Sequence, residues 1–212
     1  MSLIKTKVPE ISRHLFFLLI LFVVPLSAEQ PDITLSKITE HKTLIESTAK
    51  YFEVNPKYLR AIIYVERTLN YNWEDDALDI PLAEGGFNSS IGFCQVKMKT
   101  AYWIEVQLND SKSSYFPGKK YSRLLKVSKS PEEIIKKLQS DSLNIFYAAA
   151  YLRIMQSRWS KANCSIDDKP EILGTLYSTG LFHIDGIERK PRKNPETNSF
   201  GKEVAEACGL FK

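Results

Sequence analysis

The chain is expected to fold as a single, mainly α-helical domain with little or no β structure, and three features carry that expectation. Beyond residue 37, apolar residues recur mostly at three- and four-residue steps, the period of a helix with one buried face. Helix punctuation stands at the ends of those runs: Asn55-Pro56, Ser130-Pro131-Glu132-Glu133 and Gly180. The chain has 212 residues, 43% of them apolar, with 11 Phe, 10 Tyr and 3 Trp. That is enough for one sizeable core.

Residues 1–28 are read as a signal peptide and residues 29–212 as the folded domain, with regular structure from about residue 33. Lys5, Lys7, Arg13 and His14 precede the apolar run Leu15 to Leu26, which ends at Ser27-Ala28 before Glu29. A basic start, a short greasy stretch and a small residue before a polar one describe an export leader. The run is short of the ~20 apolar residues that span a bilayer. An uncleaved anchor is the alternative. No cysteine follows the run, so no lipid anchor is expected, and the mature chain would be periplasmic or secreted.

Ile38, Leu44, Ile45, Thr48, Tyr51 and Phe52 predict one amphipathic helix from Lys37 to about Glu53. Asn55 caps the next helix and Pro56 fits its first position, followed by Leu59, Ile62, Ile63 and Glu66. Between Asn70 and Ser90 the periodicity vanishes, and a polar segment with Pro81 and Gly85-Gly86 reads as a long loop with room for a short hairpin. Loops of that length in a compact domain are often functional. Helical character resumes over Val96 to Val106, lapses from Asn109 to Lys129, and restarts with Ser130 as cap. Asp141 is expected to cap a helix whose Ile145, Ala148, Ala149, Leu152 and Trp159 share a face. Further helices are expected over Glu171 to Tyr177 and Ser199 to Cys208.

Charge excludes more than it indicates. The net charge is +4, and removing a leader with three basic residues and one acid leaves +2. The pairs Lys119-Lys120, Arg189-Lys190 and Arg192-Lys193 read as solvated faces, so no nucleic-acid partner is expected. His41 and His183 are the two histidines after the leader and lie far apart, so neither a metal nor another cofactor is expected. Of the three cysteines, Cys94 reads as a small buried side chain. Cys164 and Cys208 are the better candidates for a disulfide, two free thiols being the alternative.

Glu66 is the informative residue. It follows Leu59 by seven positions, Ile62 by four and Ile63 by three, so an acid falls on the stripe that the helix buries. A carboxyl removed from water must be partnered or keep its proton, and a proton retained near neutral pH is what a general acid needs. An ion pair with Arg60 or Arg67, or a solvent-facing helix end, is the bland alternative.

Several segments in order resemble the lytic transglycosylase (SLT-type) domain of the lysozyme-like superfamily. Asn55-Pro56 with Leu59-Arg60-Ala61-Ile62-Ile63-Tyr64-Val65-Glu66 is similar to the helix that ends in that family's catalytic Glu. Ser89-Ser90-Ile91-Gly92-Phe93-Cys94-Gln95-Val96, with Thr100-Ala101 beyond, resembles its Ser…Gly-Leu-Met-Gln…Thr-Ala stretch. Asn144-Ile145 with Ala148-Ala149 and Tyr151-Leu152 resembles its Asn-Ile…Gly-Ala-x-Tyr-Leu helix, and Tyr177-Ser178-Thr179-Gly180 its Tyr-Asn-Ala-Gly. Pro195-Glu196-Thr197 before Phe200 is similar to its closing segment. Departures are Arg67-Thr68 for Ser-Gly, a long linker after Glu66, Cys94 for Met and Ser178 for Asn.

The resemblance implies a lysozyme-like domain with a substrate cleft, acting on peptidoglycan glycan strands. Glu66 would protonate the MurNAc-GlcNAc β-1,4 oxygen and then, as base, close the muramoyl C6 oxygen onto C1 to give a 1,6-anhydro end. Ser89 or Ser90 would hold the Glu66 carboxyl, and Gln95, Tyr177 and Ser178 would face the substrate. Two alternatives stand beside that reading. One is a hydrolase of the same bond, using a water positioned by an acid among Glu74, Asp75, Asp76, Asp79 and Glu84. The other is a glycan-binding protein that has lost the chemistry.

Overall fold

The computed structural model describes residues 28–69, 84–85, 88–122 and 124–211. Residues 1–27 of the expected leader, and Glu74, Asp75, Asp76 and Asp79, lie outside the described residues. Those described form eight α-helices: α1 (Pro31–Glu40), α2 (Lys42–Phe52), α3 (Pro56–Leu69), α4 (Met98–Asn109), α5 (Pro131–Leu138), α6 (Asp141–Ser160), α7 (Pro170–Thr179) and α8 (Ser199–Ala207). The hairpin β1 (Ser90–Ile91) and β2 (Val96–Lys97) precedes α4, pairing antiparallel with Ser90 opposite Lys97. The mainly helical fold class holds.

The core is built around α6, which packs against α2, α4, α5 and α7. Ile145, Ala148, Ala149, Ala150 and Leu152 have no exposed surface, and Trp159 is nearly buried. Three successive alanines leave little side chain between helix axes, so neighbours approach this helix from several sides. At the back of the molecule α7 and α8 meet through glycines. A Cβ on Gly201 would lie 2.1 Å from Glu171 O, and one on Gly174 would lie 2.9 Å from Val204.

Local punctuation acts largely as read. Asn55 Oδ1 accepts from Lys57 N at 2.9 Å with Pro56 at the first helical position, and Ser130 Oγ accepts from Glu133 N. Three local readings are corrected. The helix expected from Lys37 to Glu53 is two helices, starting at Pro31 and broken at His41, whose ψ of 6° departs from helical values while its ring stacks on Phe93. Val96 belongs to a strand, not to the start of α4. Ser140, not Asp141, occupies the cap position of α6, and Asp141 stands one residue inside, beside His41 Nε2 at 3.3 Å.

Cys164 and Cys208 are both free and half-buried, so the expected bridge is corrected. Cys164 N donates to Trp159 O in the turn that closes α6. Cys208 follows α8, where burial raises its thiol pKa against the nearby charge of Lys57.

Two buried carboxylates tie helices together. Glu105, with no exposed surface, accepts from Ser128 N (2.6 Å), Ser128 Oγ (3.0 Å), Lys137 Nζ (2.9 Å) and Tyr147 Oη (2.5 Å). It thereby fastens α4 to α5 and α6. Glu29 accepts from Arg67 Nε (2.7 Å) and Nη2 (3.1 Å), from Thr34 Oγ1 (2.7 Å) and from Lys37 Nζ, and its backbone N–H donates to Arg67 O. Burial alone would raise the Glu29 pKa, but these donors outweigh it and hold the carboxyl at about 2.

The Glu29–Arg67 ion pair predicts an acid-sensitive fold. The folded chain holds Glu29 at about 2 against an ordinary 4.5, so as pH falls the unfolded chain takes up the proton first. The stabilisation is complete above about pH 5 and is lost progressively toward pH 2, an effect of about 3 kcal/mol. Denaturant titrations across that range should show a flatter acid slope in Glu29→Gln. An unchanged slope would place the acid sensitivity elsewhere.

Candidate active site

Glu66 stands in the last turn of α3 and is 6% exposed, on the same stripe as Leu59, Ile62 and Ile63, all with no exposed surface. The acid read as falling on the buried face does so. Its carboxyl lies near two groups that burial already keeps protonated, the Cys94 thiol and the Tyr177 hydroxyl. Burial raises both pKa values well above their ordinary range, and Glu66, whenever it is ionised, adds to the rise. Arg67, the next residue, is engaged with Glu29 in a buried ion pair (2.7 Å).

Cys94, which senses Glu66, lies in the turn of the hairpin, Gly92 to Gln95. The turn has an unusual backbone, with Gly92 at φ 77° and Gln95 at φ 52°. Gly92 cannot be replaced cheaply: a Cβ there would lie 2.4 Å from Leu138 O and 2.5 Å from Asn144 Nδ2. Gln95 is buried, and both its backbone N–H (3.0 Å) and its Nε2 (3.1 Å) donate to Gly92 O. A left-handed non-glycine residue is a local cost that the surroundings must maintain.

Asn144, at the start of α6 and without exposed surface, holds this turn. Its Oδ1 accepts from Cys94 N (2.7 Å), and its Nδ2 donates to Ile91 O (2.7 Å) and Leu138 O (2.9 Å). The far side is held by Tyr177, whose hydroxyl donates to Cys94 O at 2.8 Å. Arg67 completes the frame, with Nη1 donating to Phe93 O (3.4 Å) and its guanidinium over the Phe93 ring. The hairpin turn is therefore held from three directions, by α6, by α7 and by the end of α3.

The remaining expected site residues divide. Ser89 and Ser90 are half-buried at the mouth of the hairpin, and Ser89 O accepts from Met98 N at 3.1 Å. Ser178 is turned toward the α7–α8 junction: its hydroxyl donates to Thr175 O (3.1 Å) and accepts from Asn198 Nδ2 (2.9 Å). Glu84 is exposed. The positioning work of Asn144, Arg67 and Glu29 is absent from the sequence reading. Asn144 was legible there as part of a motif, but its three bonds reach as far as 53 residues along the chain.

Removing the Tyr177 hydroxyl tests this frame. Tyr177→Phe leaves Cys94 O without its side-chain donor and should cost about 1 kcal/mol of stability. Thermal melts would register the loss. Unchanged melting would mean that the turn does not depend on this bond.

Residues 18–157 match the family described as T6SS, peptidoglycan muramidase Tse3, catalytic domain. The chain belongs to that family. The matched segment covers α1 to α5, most of α6, and both Glu66 and the hairpin turn. No curated protein matches the chain significantly. Membership supports a lysozyme-like, peptidoglycan-cleaving domain without singling out the SLT type. The Tse3-type family carries the name of a muramidase, so of the two cleavage routes read from the sequence, hydrolysis fits it better.

Proposed function

We propose that this protein is a muramidase that hydrolyses the β-1,4 bond between MurNAc and GlcNAc in peptidoglycan, with Glu66 as general acid. The observation that carries the proposal is the buried Glu66 carboxyl on the apolar stripe of α3, beside Cys94 and Tyr177, in a chain of the muramidase family. Burial favours the protonated form of a carboxyl, the form able to give a proton to a leaving oxygen. In the reaction Glu66 gives its proton to the glycosidic oxygen as the C1–O bond breaks. The oxygen of a water molecule bonds to C1, and the proton it sheds passes to a carboxylate. Glu84 is a candidate for that base, as are Glu74, Asp75, Asp76 and Asp79 outside the described residues.

Gln95 closes the hairpin turn and would contact the glycan, with Ser89 and Ser90 flanking it. The wall lies outside the cytoplasm, so the reading also proposes that the chain works there. The leader read over residues 1–28 and the T6SS context in the family's name are two routes to that place.

Mass analysis of muropeptides released from purified sacculi decides the reaction. Reducing MurNAc ends are expected. Ends of the 1,6-anhydro type would replace hydrolysis by the transglycosylase route, in which the muramoyl C6 oxygen takes the place of water. Binding to sacculi without any release would leave a glycan-binding protein.

A further inference from the structure

A second cavity, of about 750 Å³, opens behind α7, between that helix and the segment from His183 to Asn198. Its α7 wall is the stripe Ile172, Thr175, Leu176 and Thr179. At 100° per residue these four share one side of the helix, and Tyr177 projects from the other, toward Cys94. Trp159 also lines the cavity. It lies 15 residues along α6 from Asn144, about 22 Å of helix. The cavity is therefore a different place from the Glu66 site.

Its charge leans toward the positive. Arg189, Lys190 and Arg192 contribute three cations to the lining, against the two acids Glu188 and Glu196. Both acids are engaged: Glu188 with Arg158 at 2.8 Å and Glu196 with Arg192 at 3.1 Å. Among the described residues Arg189 makes no ion pair, and its Nε is buried without a hydrogen-bond partner. The same holds for Nε1 of Trp159, a residue only 3% exposed. Buried donors without acceptors are uncommon in folded proteins and call for an explanation. Apolar side chains, Ile172, Leu176, Ile187, Pro191 and Pro195, share the rest of the lining with threonines, His183 and Asn198.

We infer that this cavity binds a short peptide through its C-terminal carboxylate. Arg189 supplies the charged donor, in the planar form that suits a carboxylate. Trp159 supplies an indole N–H, and the aliphatic walls take small apolar side chains. A neutral sugar would leave the unpaired guanidinium unused, and a lone ion would leave the apolar walls empty. If the muramidase proposal holds, the alanine-terminated stem peptides on peptidoglycan are the source of such a ligand. The enzyme would then grip the peptide layer of the wall at one place and cut the glycan at another.

A fluorescently labelled, alanine-terminated stem tetrapeptide, titrated by anisotropy into the full chain, tests the inference. Saturable binding is expected, weakened about tenfold or more by amidating the peptide C-terminus and equally by Arg189→Gln. Trp159→Phe, which keeps the ring bulk and removes the N–H, should weaken it severalfold. Glu66→Gln should bind the peptide as the native chain does, and Arg189→Gln should cut peptide-free glycan at the native rate. The inference falls if no saturation is seen, if the amidated peptide binds equally well, if Arg189→Gln has no effect, or if inorganic phosphate at equal concentration displaces the peptide. Glycan cleavage is read separately, so a chain that binds peptide but cuts nothing would overturn the muramidase proposal and leave this one standing.

Discussion

Glu66→Gln is expected to lower the rate of sacculus solubilisation by about 10³-fold, while the melting temperature stays within a few degrees of the native value. The amide has the size of the carboxyl and can still hydrogen-bond, so the packing around position 66 persists. What it lacks is a transferable proton. The loss should therefore fall on turnover, with binding to sacculi retained, the pattern of an interaction made in the transition state. Co-sedimentation with sacculi and release of soluble muropeptides separate the two. A Glu66→Gln chain that keeps more than a tenth of native release would remove Glu66 from the acid role. Loss of binding and turnover together with a collapsed melting curve would mean that the residue is structural.

Asn144→Ala should be the most damaging single change away from Glu66. It strips partners from three backbone groups, Cys94 N, Ile91 O and Leu138 O, around a side chain with no exposed surface. At about 1 kcal/mol for each, the loss is roughly 3 kcal/mol, and a fall of about 6–12 °C in melting temperature follows for a domain of this size. Activity should drop beyond what unfolding explains, because the turn that carries Gln95 in its left-handed conformation loses its anchor. Asn144→Asp separates the parts: it keeps an acceptor for Cys94 N and loses both donated bonds. Its stability should fall between those of the native and Ala chains. If Asn144→Ala melts like the native protein and cleaves at the native rate, the turn is held by other means.

The helical architecture and Glu66 were legible because both depend on local signals. Apolar spacing placed Leu59, Ile62, Ile63 and Glu66 on one stripe, and Asn55-Pro56 marked where that helix starts. The supports of the site carry no such signal. Asn144 meets Cys94 across 50 residues and Glu29 meets Arg67 across 38, so neither pairing has a period or a spacing to betray it. Ser178 is a local position whose bonding was equally hidden. Its place in a motif suggested the substrate, whereas a helix advances 100° per residue and turns it away from Tyr177, toward Asn198. His41 breaks the first amphipathic run because its ring packs on Phe93, a contact 52 residues distant that helix periodicity cannot register.

The Glu29–Arg67 tether also decides where this domain can be trimmed. A chain beginning at residue 33, near the first periodic residues, would omit the acid and strand a guanidinium that is 5% exposed. Such a fragment should fold poorly and be readily nicked by protease near the end of α3. Removal of the residues before Glu29 leaves the latch intact. For anyone expressing this domain, the useful boundary is a buried partner of α3 rather than the point at which regular structure begins.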